Sequence, residues 1–177
     1  MPKNDQGRYT PVDGCPHAFE RVAGDLLPAL MAELNAACSH PVLMVHFEQA
    51  GTKAVLAQQG LKADFPGCYL LLEDGHPIYV GISRKVFGRL SGHVRAKTHN
   101  TATLAYRMAA KRTGRKLSRA QAMQDGEFLL QFGRARTYLR SLSFAYVEIR
   151  DPYVRHVFEA YAAQELGTGE WNSFETH

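Results

Sequence analysis

The sequence predicts an α/β protein of sandwich form, with a small, mainly antiparallel three-stranded sheet flanked by helices and an N-terminal helix–strand extension. Three observations lead there. In "PGCYLLLEDGHPIYVGIS", residues 66–83, two apolar runs flank an Asp-Gly pair, a strong signal for a hairpin with a tight turn. In "LSFAYVEIR", residues 142–150, apolar and polar residues alternate as in a third strand. Elsewhere apolar residues recur every three or four positions, the period of a helix lying on a core. With 177 residues, 45% hydrophobic and 21% charged, the chain has enough apolar material for one domain with a proper core. The same composition excludes a disordered or collagenous chain.

Taken in order, residues 17–38 read as a helix with Phe19, Val22, Leu26, Leu30, Leu34 and Ala37 on one face. Pro28 interrupts it: either the helix kinks there or a second helix starts, because proline suits a first turn and not an interior. "PVLMVHF", 41–47, reads as a buried strand, and "GTKAVLAQQGLKAD" as a weakly patterned connector. Residues 1–65 are therefore expected to form an extension packed on a main domain over 66–177. The hairpin strands run from Gly67 to Glu73 and from Pro77 to Ile82, and a helix follows over about Lys85–Arg95. Next come a helix from about Ala102, a basic turn "TGRKLS", a short segment "RAQAM", and a further helix in "GEFLLQFGRARTYLR". After the third strand, "DPYVRHVFEAYAAQELG" carries a full set of helix signals, with Asp151 as cap, Pro152 in the first turn and Gly167 as stop. Glu159 lies beside its apolar stripe of Val154, Val157, Phe158 and Tyr161. The tail "TGEWNSFETH" reads as an ordered loop anchored by Trp171 and Phe174.

The opening segment lacks the apolar core of a signal peptide, and no stretch approaches the roughly 18 apolar residues of a membrane span. A cytoplasmic protein with no membrane partner is therefore expected. Cys15, Cys38 and Cys68 are odd in number and widely spaced, which argues for reduced, mostly buried thiols rather than disulfides or a thiolate zinc site. The net charge of +4 is unevenly spread. Between Gly75 and Gln124 there are eleven Lys and Arg and no Asp or Glu, while the rest of the chain has ten basic and seventeen acidic residues. Such a block attracts polyanions by releasing their condensed counterions. Its simpler reading is a solvated helical face.

With strand, turn, strand and helix in place, the hairpin resembles the GIY-YIG nuclease family. Gly67-Cys68-Tyr69 stands for the first signature tripeptide and Tyr79-Val80-Gly81 for the second, with Cys68 and Val80 where the family has Ile. The family places an Arg ten residues after the second Tyr and a His four beyond it, and this chain has Arg89 and His93. It also carries a metal-binding Glu on a later helix and an Asn near the domain end. Glu159 in "VFEAYAAQEL" and Asn172 in "WNSFETH" fit those positions, with Glu165 and Glu148 as alternatives for the glutamate. The resemblance covers about Pro66 to the C-terminus and leaves a basic insertion, about 97–140, outside the pattern.

The resemblance implies a metal-dependent endonuclease that hydrolyses phosphodiester bonds in DNA. Tyr69 would be the general base or water-positioning group, Tyr79 a hydrogen-bonding partner at the phosphate, and Arg89 the stabiliser of phosphate charge. His93 would hydrogen-bond the phosphate or Tyr79, Glu159 would bind one divalent ion, Mg²⁺ or Mn²⁺, and Asn172 would orient the site. The residue types suit these tasks. A guanidinium is a permanently charged fork matched to phosphate oxygens, and Mg²⁺ commonly takes only one or two protein carboxylates. A free phenol titrates near pH 10, so Tyr69 needs a nearby cation or metal-bound water to serve as base.

Arg84, Lys85, Arg95, Lys97, Arg107, Lys111, Arg112, Arg115 and Lys116 have the character of phosphate contacts, which position a nucleic acid without specifying sequence. Tyr106 among them either stacks on a base or faces the core. DNA, duplex or single-stranded, is the expected partner, with RNA left open. The alternative is a nucleic-acid-binding module of weak or no catalytic activity. A third reading is a metal-independent partner-binding protein whose basic block merely keeps the chain soluble.

Overall fold

The computed structural model describes residues 10–95, 101–115 and 117–174. Its N-terminal layer is a helical rod in two parts, α1 (Phe19–Arg21) and α2 (Leu27–Ala37), joined by a π-helical stretch over Val22–Leu26. Pro28 sits in the first turn of α2, and the Leu27 N–H just before it reaches back to the Val22 carbonyl. The wider turn relaxes the ladder where proline has no N–H to offer, so the rod continues through Pro28.

A two-residue strand, β1 (Val42–Leu43), then gives way to α3 (His46–Gln49) and α4 (Gly51–Gln58). The run expected as a strand over 41–47 is thus strand only at its start. The Met44 N–H still bonds to the Leu142 carbonyl, after which the chain turns and buries Phe47. The expected connector holds α4, whose buried side chains are Val55 and Leu56, too few to display a period.

β2 (Gly67–Glu73) and β3 (His76–Ser83) form the hairpin, closed by Asp74 and Gly75 at φ 48° and 81°. Both turn residues are left-handed, as a two-residue turn matched to strand twist requires. There follow α5 (Val86–Arg95), α6 (Thr103–Thr113), α7 (Arg119–Ala122), α8 (Gly126–Ser141), β4 (Ser143–Glu148) and α9 (Pro152–Glu165). Asp151 caps α9 by accepting the Val154 N–H at 3.0 Å.

The sheet is antiparallel and four-stranded, in the order β1-β4-β2-β3. The expectation of three strands is corrected: β1 pairs with β4 through Val42–Phe144 and Leu43–Ser143, so the N-terminal extension supplies an edge strand. Two residues of ladder are too few for alternation to reveal. β2 is covered on both faces, which is why "GCYLLL" reads as a continuous apolar run. Cys68, Leu70, Leu72, Val80 and Val147 meet α2 and α9 on one face. Tyr69, Leu71, Tyr79 and Phe144 meet the residues of α3 to α8 on the other. Within the expected basic insertion, α6, α7 and α8 pack on this second face. Trp171 packs against that cluster, whereas Phe174 is 54% exposed and joins neither hydrophobic cluster among the described residues. Among the described residues no helix is long and apolar enough to cross a membrane.

Candidate active site

Tyr69 stands in the middle of β2, opposite Gly81 on β3 and Tyr146 on β4. Its ring lies across Gly81 so closely that a Cβ there would come within 2.5 Å of both Cζ and the hydroxyl oxygen. The glycine of the second tripeptide is therefore the floor on which the tyrosine of the first one rests. Gly67 is needed for a different close approach, since a Cβ there would collide with the Val147 carbonyl oxygen of β4. Tyr79, two residues before Gly81 on the same face, brings its ring centroid to 6.1 Å from that of Tyr69.

The start of α5 is fixed by Asp64, which the sequence reading passed over. Its Oδ1 accepts the N–H groups of Phe65 at 2.9 Å and Phe87 at 3.0 Å, and its Oδ2 accepts that of Gly88 at 2.8 Å. An acceptor at a helix N-terminus satisfies donors that have no partner within the helix. This cap comes from before the hairpin, so no local pattern could have announced it. Arg89 and His93 then lie one turn apart on the face of α5 turned to Tyr69.

His93 is fully buried, and its Nε2 lies 2.8 Å from the Tyr69 hydroxyl. Its hydrogen-bond partner is thus Tyr69, where phosphate or Tyr79 was expected. Tyr79 meets the imidazole only edge-on, at 6.3 Å between centroids. The sheet order explains the difference, because Tyr69 is on an inner strand beneath α5 whereas Tyr79 is on the edge strand. Burial pushes the Tyr69 phenol well above its ordinary range, Tyr79 adds to this, and Arg89 opposes it. Burial also pushes His93 down to about 3, helped by the charges of Arg89 and Arg107. Both groups are therefore neutral at pH 7. Arg89 has only donors to offer the Tyr69 oxygen, which leaves the phenolic proton for His93 Nε2. The other imidazole nitrogen, Nδ1, is buried without a hydrogen-bond partner among the described residues.

Arg89 is half-buried and spans from α5 to the start of α6, donating to the Thr101 carbonyl at 3.0 Å and the Thr103 hydroxyl at 2.6 Å. Tyr79 is 7% exposed, its phenol raised by burial and drawn back down by Arg107. The Arg107 guanidinium carbon stands 5.6 Å from the Tyr79 ring centroid, within cation–π range. Glu159 reaches the same edge from α9 and is half-buried. Burial raises its carboxyl, against the pull of Arg107 and of a main-chain hydrogen bond from Ile82.

Asn172 commits both ends of its amide to one residue: Oδ1 accepts the Val80 N–H at 2.9 Å, and Nδ2 donates to the Val80 carbonyl at 2.8 Å. Val80 thus points its main-chain groups away from β2, and Ile82, two residues on, points the same way. Asn172 and Glu159 together cover the open edge of β3. A groove of about 560 Å³ along α9 and the C-terminal loop adjoins this edge and includes Asn172.

Among the described residues no three His, Cys, Asp or Glu side chains gather as a metal-ligand set. The donors at this edge fit Mg²⁺ or Mn²⁺ held by one carboxylate, with waters and substrate oxygens completing the shell, and do not fit zinc. Glu159 acts directly on Tyr79. Of the alternatives, Glu148 is exposed and pairs with Arg150 at 2.7 Å, and Glu165 is exposed at the end of α9.

Arg84, Lys85, Arg95, Arg107, Lys111, Arg112 and Arg115 are exposed, while Lys97 and Lys116 lie outside the described residues. Lys111 pairs with Glu170 at 3.2 Å and lies 4.8 Å from the Trp171 ring centroid. Arg115 pairs with Asp125 and Glu127, each at 2.6 Å. Such exposed pairs contribute only about 0–1 kcal/mol, so a phosphate can displace them. Tyr106 faces the core, with its ring 5.0 Å from that of Phe128. The likeness to the GIY-YIG pattern rests on these motif residues alone. No family model, curated protein or solved structure matches the chain.

Proposed function

We propose that the chain is a metal-dependent endonuclease that hydrolyses phosphodiester bonds in DNA, as its resemblance to the GIY-YIG family implies. What supports the reading is convergence. Tyr69, Tyr79, Arg89 and His93 from the hairpin and the helix after it meet Glu159 and Asn172 from the far end of the chain, around one edge strand. Perturbed titratable groups beside specific charged partners in this way are candidates for working groups of a site.

In this reading Arg89 turns its fork onto the phosphate, because its present partners are neutral acceptors that an anion outcompetes. The Tyr79 hydroxyl hydrogen-bonds a phosphate oxygen. Tyr69 acts as a water-positioning group rather than as a base, since its phenol is raised and its proton is directed to His93. Arg89, which bonds the Tyr69 hydroxyl, leaves that oxygen free for water as it turns onto the phosphate. Glu159 would hold one divalent ion, Mg²⁺ or Mn²⁺, which when bound supplies positive charge to the phosphate and the leaving 3′ oxygen. Asn172 touches no reacting atom and holds the strand that carries Tyr79 and Gly81. The exposed basic residues add affinity without sequence preference.

A second reading has an observation of its own. Tyr69 is 1% exposed, and a phenol sealed from water suits a structural hydrogen bond, which would leave a nucleic-acid-binding module that does not cut. Labelled duplex DNA, single-stranded DNA and RNA incubated with Mg²⁺, with product ends mapped, separate the two. DNA products ending in 3′-hydroxyl and 5′-phosphate support the nuclease. Salt-sensitive binding with no product in Mg²⁺ or Mn²⁺ supports the module.

A further inference from the structure

Helix α6 belongs to the basic insertion that the GIY-YIG pattern leaves unaligned, yet it runs along the site. Thr103, Arg107 and Lys111 recur every four residues and so share one face. Each turn of that face meets a different part of the edge. Thr103 Oγ1 accepts a hydrogen bond from Arg89 at 2.6 Å, Arg107 stands over Tyr79 at 5.6 Å, and Lys111 covers Trp171, the neighbour of Asn172, at 4.8 Å. The stripe is held in place from behind, where Leu104, Ala105, Met108 and Ala109 are buried and α6 packs on α8. Lys111 has Glu170 as its counter-ion. Among the described residues Arg107 forms no ion pair, and its charge acts instead on Tyr79, His93 and Glu159. An exposed guanidinium fixed beside these groups, with Arg89 also acting on Tyr79, is arranged to receive an anion between the two.

We propose that Arg107 is a second phosphate-binding arginine that clamps the scissile phosphate together with Arg89, so that the inserted helix contributes a group of the site and not only backbone affinity. The sequence treats Arg107 and Arg112 alike, as two cations of one basic helix. The structure separates them, because Arg107 faces Tyr79 and Arg112 lies outside the stripe. The proposal rests on reading this site as a phosphate site, and its test keeps the two apart.

Inorganic phosphate is titrated calorimetrically into the full chain and into Arg89→Ala, Arg107→Ala, Arg107→Lys and, as a control, Arg21→Ala, an exposed arginine of α1 in the N-terminal layer. The same proteins are assayed for kcat and KM on a short DNA duplex with Mg²⁺. Arg107→Ala is expected to weaken phosphate binding by about tenfold or more, as Arg89→Ala does, with Arg21→Ala close to the parent. Its kcat is expected to fall about 100-fold with little change in KM, and Arg107→Lys to recover part of the loss. An Arg107→Ala chain that matches Arg21→Ala in both assays overturns the clamp and leaves the nuclease reading standing. A parent chain that holds phosphate through both arginines but leaves DNA uncut overturns the nuclease reading and keeps the clamp. A parent that neither holds phosphate nor cuts overturns both.

Discussion

Replacing Gly81 by Ala puts a methyl group where the Tyr69 ring now lies, 2.5 Å from Cζ and from the hydroxyl oxygen. Carbon atoms rest about 3.5–4.0 Å apart, so the ring must move by about 1 Å. It has little room to do so. Tyr69 is 1% exposed, its hydroxyl is held 2.8 Å from His93, and its ring packs against Tyr79 and His93 at 6.1 and 5.8 Å between centroids. Overpacking of this kind costs about 1–3 kcal/mol, and pulling a buried hydroxyl off its partner costs about 1–3 kcal/mol more. The better strand propensity of Ala returns about 0.5–1 kcal/mol. The expected loss is about 1–5 kcal/mol in urea unfolding. If the ring is the cause, the loss shrinks below about 1 kcal/mol in a Tyr69→Leu background, a coupling that the four proteins of a double-mutant cycle measure. A Gly81→Ala chain within about 0.5 kcal/mol of the parent refutes the steric argument. So does a cost that Tyr69→Leu leaves unchanged.

Asn172→Ala removes both side-chain bonds to Val80 and is expected to cost about 1–2 kcal/mol, with faster hydrogen exchange at the Val80 amide; unchanged exchange there contradicts the role given to Asn172. Asp64→Ala removes the acceptor for two N–H groups at the start of α5 and for that of Phe65, and is expected to cost about 1–2 kcal/mol in urea unfolding, whereas a surface Asp would cost almost nothing. His93 is held at about 3 in the fold against 6.5 when unfolded, so the unfolded chain binds the extra proton between those values. Its contribution to stability is therefore whole above pH 6.5 and drains away as pH falls toward 3, with a slope approaching about 1.4 kcal/mol per pH unit. The raised carboxyl of Glu159 acts with the opposite sign, its contribution present at low pH and lost as pH rises past its folded value. The difference in slope between the parent and His93→Gln isolates the imidazole, and equal slopes contradict its buried, neutral state.

The hairpin is legible in the sequence because its signals are local: a two-residue Asp-Gly turn between apolar runs, and a helix start soon after. α9 is legible for the same reason, since Asp151, Pro152 and Gly167 mark both its ends within the segment itself. β1 is not, because two residues cannot display alternation, and its membership in the sheet depends on β4, about a hundred positions away. The candidate site divides along the same line. Motif spacing points to Tyr69, Arg89 and His93, but the choice of Tyr69 over Tyr79 as the partner of His93 depends on which strand is inner. The reason for Gly81 is also out of reach of the sequence, since it depends on the ring of a residue across the ladder. Asp64 and Arg107 share this character. Each is an ordinary charged residue until the packing of α5 or α6 decides what its side chain faces.

Nicking of supercoiled plasmid is the sharpest test that Tyr69, Arg89 and Glu159 belong to one phosphodiester-cleaving site. The parent chain should nick in Mg²⁺ and stop on addition of chelator. Arg89→Ala, Glu159→Gln and Tyr69→Phe should each slow nicking about 100-fold or more while keeping salt-sensitive DNA binding. Plasmid left intact by the parent chain in Mg²⁺ and Mn²⁺, or nicked at the parent rate by all three variants, contradicts the claim.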